Sequence, residues 1–302
     1  RRGDLAAAEE IFEALVEVDQ DYNVLPGMAE RWDVDQQATR YVFRLRDGLQ
    51  WNDGTPVTAH DFEYAWKRNL DPVTGSPVAH LLYVIENARA FGTGEMGDSD
   101  QVGVTAVDDR ILEVRLEAPT GYFLYLMAHP VAFPLPRGPV QAHGTAWIEP
   151  QNLVSNGPYS LVAWQRGEKL VLEKNQSYRC PFPGNVHRVE CPLFTDYDPM
   201  LKAYAVDDLD VVSLINSDPG TVARARAAHG DELRFSPQLS TVYLAFLVDR
   251  EPFDDVRVRQ AFVHAVDRER LVRETWGEQY RPATGGFVPP GMPGHSGGLG
   301  LD

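Results

Sequence analysis

The sequence is poor in cysteine and in positive charge, and it lacks long apolar runs. Its 302 residues include 2 cysteines, and 28 Lys and Arg residues stand against 44 Asp and Glu residues, giving a formal net charge of −16. Such a chain repels phosphate, which argues against nucleic acid as a partner. Prolines interrupt the most apolar stretch, residues 122–136, so no run approaches the roughly 18 residues that cross a bilayer.

Motifs for metal binding and catalysis are missing or lack their structural context. The 8 histidines are scattered without an H-E-x-x-H pattern or a close pair, so no metal site or cofactor is predicted. Residues 92–97 match the dinucleotide fingerprint G-x-G-x-x-G, but a helical segment precedes them, and we interpret the match as chance. Residues 294–298 match the G-x-S-x-G nucleophile elbow around Ser296, yet no histidine follows His295, so a hydrolase site is not expected.

The two cysteines, Cys180 and Cys191, bracket a segment in which residues 181–184 can reverse the chain before a predicted strand at residues 186–194. A disulfide across this short loop would stabilise the fold by up to about 3 kcal/mol if the bond geometry is met. Two cysteines without neighbouring His or Cys do not form a zinc site. The sequence leaves a bridge and two free thiols equally open.

The most informative segment that is present is residues 51–69, WNDGTPVTAHDFEYAWKRN. It begins with a cluster of turn-forming residues, and Thr58 can cap the open amides of a helix start. The helix is predicted to begin near Ala59. Its apolar side recurs at helical spacing, so one face is expected to be buried; the residues on that face are Phe62, Ala65, Trp66 and Asn69.

Apolar periodicity predicts further strands and helices along the chain. The first is a helix from Ala6 to Val16, with Glu9, Glu10 and Glu13 toward solvent. The others are strands at 41–46, 111–116, 186–194, 209–214 and 242–248, a hairpin at 159–173, and helical segments at 78–90, 200–205, 221–228 and 258–266, the last capped by Asp254 or Asp255. Residues 281–302 are so rich in Gly and Pro that no packed element is expected there.

Six segments in a fixed order resemble the family 5 extracytoplasmic solute-binding proteins of ABC importers, which include oligopeptide- and dipeptide-binding proteins. These segments are 25–32, 45–62, 71–82, 107–128, 156–178 and 252–272. One such segment is weak evidence, but six in register are specific. The resemblance implies an α/β fold of the periplasmic-binding-protein-like type II class, with mixed sheets and an inserted small lobe.

The resemblance also implies a division into lobes. Residues 1–27 would form the first part of lobe I, residues 28–149 an inserted lobe II, residues 150–238 the rest of lobe I, and residues 239–302 the start of lobe III with a Gly- and Pro-rich tail. Family members continue into a further lobe that closes over the ligand, so the last lobe is expected to be truncated. No apolar leader segment opens the chain, and an extracytoplasmic location, periplasmic or lipid-anchored at the cell surface, is expected from the resemblance alone.

The function that the resemblance implies is binding of a small-molecule or peptide ligand by lobe closure, followed by delivery to an ABC permease in the membrane. Residues 71–82, DPVTGSPVAHLL, favour a peptide. The expected protein is a monomer and not an enzyme. One alternative is a ligand-sensing module of a larger signalling or regulatory protein with the same fold. A serine hydrolase using Ser296 has the least support.

Five residues are candidates for ligand contact. Residues 240–246 resemble the strand that runs through the family's cleft, where main-chain hydrogen bonds can hold an extended peptide, and this segment contains Thr241 and Tyr243. His80 and Tyr83 belong to a segment in which oligopeptide-binding relatives place aromatic side chains. Asn156 precedes a Gly-Pro pair that resembles a family crossover and could face the cleft. A purely structural role is the competing interpretation for each of the five.

Overall fold

The computed structural model describes residues 8–181, 184–236, 239–283, 286–292 and 295–296. It divides into two compact units, unit 1 (Arg1–Leu193) and unit 2 (Phe194–Asp302). The division between these units therefore follows Leu193, whereas the lobes predicted from the sequence have boundaries after residues 27, 149 and 238. The lobe boundaries stay a prediction.

Unit 1 is built from antiparallel sheets. A helical turn, α1, covers residues 8–11. The strands are β1 (Val16–Val18), β2 (Val24–Pro26), β3 (Ala29–Val34), β4 (Arg40–Leu45), β5 (Val104–Asp108), β6 (Ile111–Arg115), β7 (Tyr159–Gln165), β8 (Lys169–Lys174) and β9 (Arg188–Pro192). Strand β1 pairs with β2, a four-stranded sheet has the order β3-β4-β6-β5, and a three-stranded sheet has the order β7-β8-β9.

Short helices connect the strands of unit 1. They are α2 (Ala59–Leu70), α3 (Ala88–Gly92), α4 (Phe123–Met127) and α5 (Arg137–His143), with 3-10 turns at Ala79–Leu82, Ser99–Gln101, Pro130–Ala132 and Gly144–Ile148. Helix α2 packs against β5 and β6 of the four-stranded sheet. Thr58 is its N-cap residue, and the Thr58 N–H donates to Asp61 Oδ2 at 2.8 Å. The predicted capped amphipathic helix is therefore confirmed.

A contiguous hydrophobic core joins the sheets and helices of unit 1. It includes Phe43 from β4, Phe62 and Trp66 from α2, and Leu112 from β6, all of which are fully buried. The strand predicted at residues 41–46 is confirmed as β4 (Arg40–Leu45), because its alternate residues are those that enter the core. Burial of these large side chains is the main favourable contribution to folding in this unit.

Unit 2 contains helices α6 (Tyr197–Ala205), α7 (Pro219–His229), α8 (Val256–Ala265) and α9 (Arg268–Thr275), followed by a 3-10 turn at Gly277–Gln279. Aspartates cap three of these helices, since the side chains of Asp218, Asp255 and Asp267 accept backbone N–H bonds at their N-termini. Among the described residues of unit 2, only Val222 and Ala225 are buried hydrophobic side chains. Across the described ranges, none of the helices has the length and apolar character that spanning a membrane requires.

The helix predicted from Ala6 to Val16 is wrong over its second half. The helical turn ends at residue 11, and Val16–Val18 forms β1; residues 6 and 7 lie outside the described ranges. Glu13, predicted to face solvent, is only 8% exposed. The physical reason is that distant groups take over the backbone bonds of this segment, since Asn156 bonds the main chain of Glu13 and the Gly157 N–H donates to the Ile11 carbonyl.

Two other predictions in unit 1 need adjustment. The helical segment at residues 78–90 splits into the 3-10 turn at Ala79–Leu82 and helix α3, because Asn87 adopts a left-handed conformation with φ of 60° between them. The predicted hairpin is confirmed as β7 and β8, with Leu161 opposite Leu172. Ala163 pairs with Val171, because a bulge shifts the register of the hairpin after Leu161.

The two apolar strands predicted in unit 2 are wrong. Residues 209–214 and 242–248 have neither strand nor helical structure, and Val211 and Leu244 are 82% and 81% exposed. An apolar run becomes a strand only where another strand satisfies its backbone N–H and C=O groups. In the described part of unit 2, no strand is present to pair with either segment.

Candidate functional site

The segment at residues 51–69, here called the cassette, forms hydrogen bonds to distant segments of unit 1. The Asn52 N–H donates to the Ser155 carbonyl at 2.8 Å, and the Ser155 N–H donates to Asn52 Oδ1 at 3.2 Å. At the other end of the cassette, Trp66 Nε1 donates to the Ala132 carbonyl at 2.9 Å. The cassette therefore positions the segment that leads into β7, and its own conspicuous residues are structural.

Asn156 is the residue after Ser155, and its side chain is fully buried. Its Oδ1 accepts the Glu13 N–H at 3.1 Å, and its Nδ2 donates to the Glu13 carbonyl at 3.0 Å. Nδ2 also lies 2.8 Å from Met28 Sδ. The protein itself thus satisfies both ends of this amide, as a buried polar group requires. Ligand contact by Asn156 stays a prediction.

Gly157 marks a close approach between two backbone segments. A Cβ atom placed on this residue would lie 2.5 Å from the backbone carbon of Ile11 and 2.7 Å from the backbone nitrogen of Phe12. Only glycine fits at such a distance. The residue therefore allows the turn after α1 to pack directly against the segment that enters β7.

His80 and Tyr83 lie at the 3-10 turn at Ala79–Leu82. His80 is exposed, and Tyr83 is half-buried. The ring of Tyr83 covers Gly92, where an added Cβ atom would meet Tyr83 Cε1 at 2.8 Å. Gly92 ends helix α3, and Gly94 follows with φ of 79°. Residues 92–97 therefore follow the C-terminus of a helix, whereas a dinucleotide fingerprint precedes a helix N-terminus; this arrangement supports the interpretation of the motif as chance.

Thr241 and Tyr243 belong to unit 2 and contact the same residue. Thr241 Oγ1 donates to the Phe287 carbonyl at 2.8 Å. The Tyr243 ring meets the Phe287 ring edge to face, with the ring centroids 4.8 Å apart. Tyr243 is nevertheless 61% exposed. These two predicted site residues therefore lie together on the surface of unit 2.

Sequence reasoning missed a buried carboxyl group in unit 1. The Tyr178 hydroxyl donates to Glu13 Oε2 at 2.9 Å. Desolvation by burial, together with the nearby Glu17 carboxylate, raises the pKa of Glu13 to about 8. The helical pattern placed Glu13 on a polar face beside Glu9 and Glu10, so no local signal in the sequence indicated its burial.

Both cysteines are free thiols. Cys180 is buried with its Sγ 3.8 Å from the Gly27 carbonyl oxygen, and Cys191 lies on β9 opposite Leu170. The disulfide left open by the sequence is therefore not formed. Burial raises the pKa of Cys180 to about 12, so this thiol is protonated and unreactive at neutral pH.

The described residues include no cluster of three or more His, Cys, Asp or Glu side chains arranged to hold a metal ion. Unit 2 has a cleft of about 250 Å³ lined by Tyr204, His229 and Glu232, among others. A second cleft, of about 290 Å³, includes Val263 and Arg268. Both are smaller than typical small-molecule pockets of about 300–1,000 Å³. Most of the G-x-S-x-G match around Ser296 lies outside the described residues.

The described strands and helices form a mixed α/β scaffold, and its match to solved periplasmic binding proteins places it in the periplasmic-binding-protein-like class. The family model for bacterial extracellular solute-binding proteins, family 5 Middle, matches residues 23–300. The chain belongs to this family, and the fold class expected from the sequence is confirmed. The family is a solute-binding, non-catalytic class.

Known relatives and solved structures agree with this assignment. The chain is 37% identical over 289 residues to the probable deoxycholate-binding periplasmic protein YgiS of Escherichia coli K12, covering 95% of this chain and 53% of that protein. It is 34% identical over 288 residues to the periplasmic oligopeptide-binding protein OppA of the same strain, covering 94% and 52%. The structure of the Escherichia coli murein tripeptide binding protein MppA superimposes with a TM-score of 0.82 at 33% identity, covering 95% and 56%. The chain spans about half the length of the curated relatives it matches.

Proposed function

We propose that this chain acts in a protein that binds a peptide outside the cytoplasm, closes around it, and delivers it to an ABC permease in the membrane. The observation that carries the proposal is the family match over residues 23–300. It is supported by relatives whose names state binding of oligopeptides and murein peptides. Under this proposal the protein acts as a monomer, and closure is driven by the higher affinity of the closed state for ligand.

The segment around Tyr243 is the proposed peptide contact. Residues 241–247 pair with no strand among the described residues, so an extended peptide could add to this backbone by strand-type hydrogen bonds. Such binding fixes the direction of a peptide and tolerates many sequences. The exposed Tyr243 ring would supply an amphipathic wall beside it. Thr241, His80, Tyr83 and Asn156 remain proposed contacts that need a direct test.

The relative YgiS supports a second candidate ligand, because its name describes a probable deoxycholate-binding protein. A bile acid is a rigid apolar body with one carboxylate, and it offers no main chain to pair with a strand-like segment. Exposed apolar side chains in unit 2, such as Leu244 and Phe287, could contact either ligand. The two candidates therefore differ mainly in main-chain hydrogen bonding.

Native mass spectrometry of the protein purified from its own cells, followed by calorimetry, distinguishes these ligands. We expect a co-purifying mass that sequences as a short peptide, and calorimetric binding when that peptide is added back to stripped protein. Deoxycholate is titrated in parallel under the same conditions. Binding of deoxycholate with no response to any released or synthetic peptide would reject the peptide proposal.

Substitution of Tyr243 tests the proposed contact. We expect Tyr243→Ala to weaken peptide binding by about tenfold, because it removes the aromatic wall. Tyr122→Ala is the matched control, since Tyr122 is 57% exposed, close to the 61% of Tyr243, and belongs to unit 1. Equal affinity of the Tyr243 variant and the control would show that the Tyr243 side chain does not contribute to ligand binding.

A further inference from the structure

Glu13 is a carboxyl group held inside unit 1 by partners from distant parts of the chain. The Asn156 side-chain amide forms hydrogen bonds with both the N–H and the carbonyl of Glu13. Glu13 Oε2 accepts a hydrogen bond from the Tyr178 hydroxyl at 2.9 Å. Its Oε1 lies 3.0 Å from the position that a Cβ atom would take on Gly27. The carboxyl group therefore lies where residues 11–18, the loop before β3 and the segment after β8 meet.

The charged and titratable groups that face Glu13 come from three surrounding segments. Glu17, an exposed residue on β1, is close enough to its carboxyl group for its negative charge to raise the pKa of Glu13. Tyr178 and Cys180 face it from the segment after β8, and Arg46 faces it from the turn after β4.

Arg46 is a cation whose charge favours ionisation of Glu13, but its guanidinium group already donates to main-chain carbonyls. Its Nε donates to the Gly27 carbonyl at 2.7 Å, and its Nη2 donates to the Pro26 carbonyl at 3.3 Å. Ionisation of Glu13 would thus place a negative charge at a buried position beside the exposed Glu17 carboxyl group. The cost of burying such a charge is large unless a partner neutralises it.

We propose that Glu13 is a proton-dependent latch that holds residues 11–18 against the segments at 155–157 and 178–180. With its proton, the carboxyl group accepts the hydrogen bond from the Tyr178 hydroxyl and adds no second negative charge beside Glu17. When residues 11–18 open away from Tyr178, Glu13 meets water and ionises readily. Opening is therefore coupled to release of one proton and becomes easier as the pH rises.

The direction and the pH range of the change in opening follow from the difference between the pKa of Glu13 in the closed state and in the open state. Burial raises the pKa of Glu13 to about 8 in the closed state, whereas an exposed glutamate titrates near about 4.3. Between these values the open state has lost its proton and the closed state has kept it. The opening constant should rise about tenfold per pH unit in this range and level off above about pH 8. Opening of residues 11–18 is therefore least favourable at low pH.

Hydrogen exchange measured by mass spectrometry between pH 5.5 and 7.5 tests the latch in the full 302-residue chain. After correction for intrinsic exchange, peptides covering residues 11–18 should lose protection by up to about a hundredfold across this range. Glu13→Gln keeps an acceptor for Tyr178 and cannot ionise, so its protection should not depend on pH. Glu168→Gln, at an exposed turn residue, is the matched control and should behave as the wild type.

A direct titration keeps the proposal testable if Glu13→Gln fails to fold. In wild-type protein labelled with carbon-13 at glutamate side chains, one carboxyl signal should titrate several pH units above the others. Protection of residues 11–18 that does not change with pH would overturn the proposal. So would a glutamate spectrum in which every carboxyl group titrates near its ordinary value.

Discussion

The side chain of Asn156 replaces a missing strand partner for Glu13. Its Oδ1 accepts the Glu13 N–H and its Nδ2 donates to the Glu13 carbonyl, at 3.1 and 3.0 Å, across a sequence separation of 143 residues. Next to it, the Gly157 N–H donates to the Ile11 carbonyl at 2.9 Å. One short segment thus satisfies backbone groups of Ile11, the last residue of α1, and of Glu13, which belongs to neither a helix nor a strand. This relationship explains why the predicted first helix ends early.

Removing the Asn156 amide should therefore destabilise unit 1. In Asn156→Ala the Glu13 N–H and C=O are buried without partners, and each such loss costs roughly 1–3 kcal/mol. We expect the free energy of unfolding to fall by about 3 kcal/mol, measured by urea denaturation. Asn152→Ala is the control, because its Nδ2 makes one exposed bond to the Ala146 carbonyl and should cost less than about 1 kcal/mol. Similar losses in both variants would contradict the bridging role.

Gly157 should tolerate no side chain. A Cβ atom there would lie 2.5 Å from the backbone of Ile11, so Gly157→Ala must push two main-chain segments apart. We expect a loss of about 2–3 kcal/mol in thermal or urea unfolding. Gly138→Ala is the opposite case, since Gly138 lies in helix α5 with nothing within 4 Å of an added Cβ atom. Gly138→Ala should stabilise the protein by about 0.5 kcal/mol. If Gly157→Ala left the free energy of unfolding unchanged, the two backbone segments would not be in close contact at this residue.

The indole of Trp66 tests whether the cassette at residues 51–69 is structural. Trp66 is fully buried and donates to the Ala132 carbonyl at 2.9 Å. Trp66→Phe leaves that carbonyl without its donor and leaves a small cavity, so stability should fall by about 2–3 kcal/mol. Trp164→Phe, at a half-buried position on β7, should cost under about 1 kcal/mol. If Trp66→Phe lowered ligand affinity without changing stability, the cassette would belong to the binding site.

Elements with local signals could be predicted from the sequence. The alternation of Tyr41, Phe43 and Leu45 predicted β4, and the cap at Thr58 with apolar residues at helical spacing predicted α2. In these segments the residues that fix the conformation are neighbours in sequence. The hairpin of β7 and β8 was predictable for the same reason, except for its bulge.

Features that depend on distant partners could not be predicted. Nothing near Glu13 in the sequence indicates that Asn156 and Tyr178 will enclose it. The apolar run at residues 242–248 carries a strand-like composition, but pairing and not composition decides whether a strand forms. The same limit applies to the candidate site, because Thr241 and Tyr243 meet Phe287 through contacts that no spacing rule encodes.

The unequal burial in the two units leads to the last prediction. Leu112 on β6 is 0% exposed, whereas Leu244 in unit 2 is 81% exposed. Truncating a buried leucine removes transfer free energy and leaves a cavity, so Leu112→Ala should cost about 2–5 kcal/mol. Leu244→Ala removes a side chain that already meets water, and in this 302-residue chain it should change stability by less than about 0.5 kcal/mol. Urea denaturation of both variants measures the difference. A loss of 2 kcal/mol or more for Leu244→Ala would mean that residues 242–248 are packed in solution, as the strand prediction required.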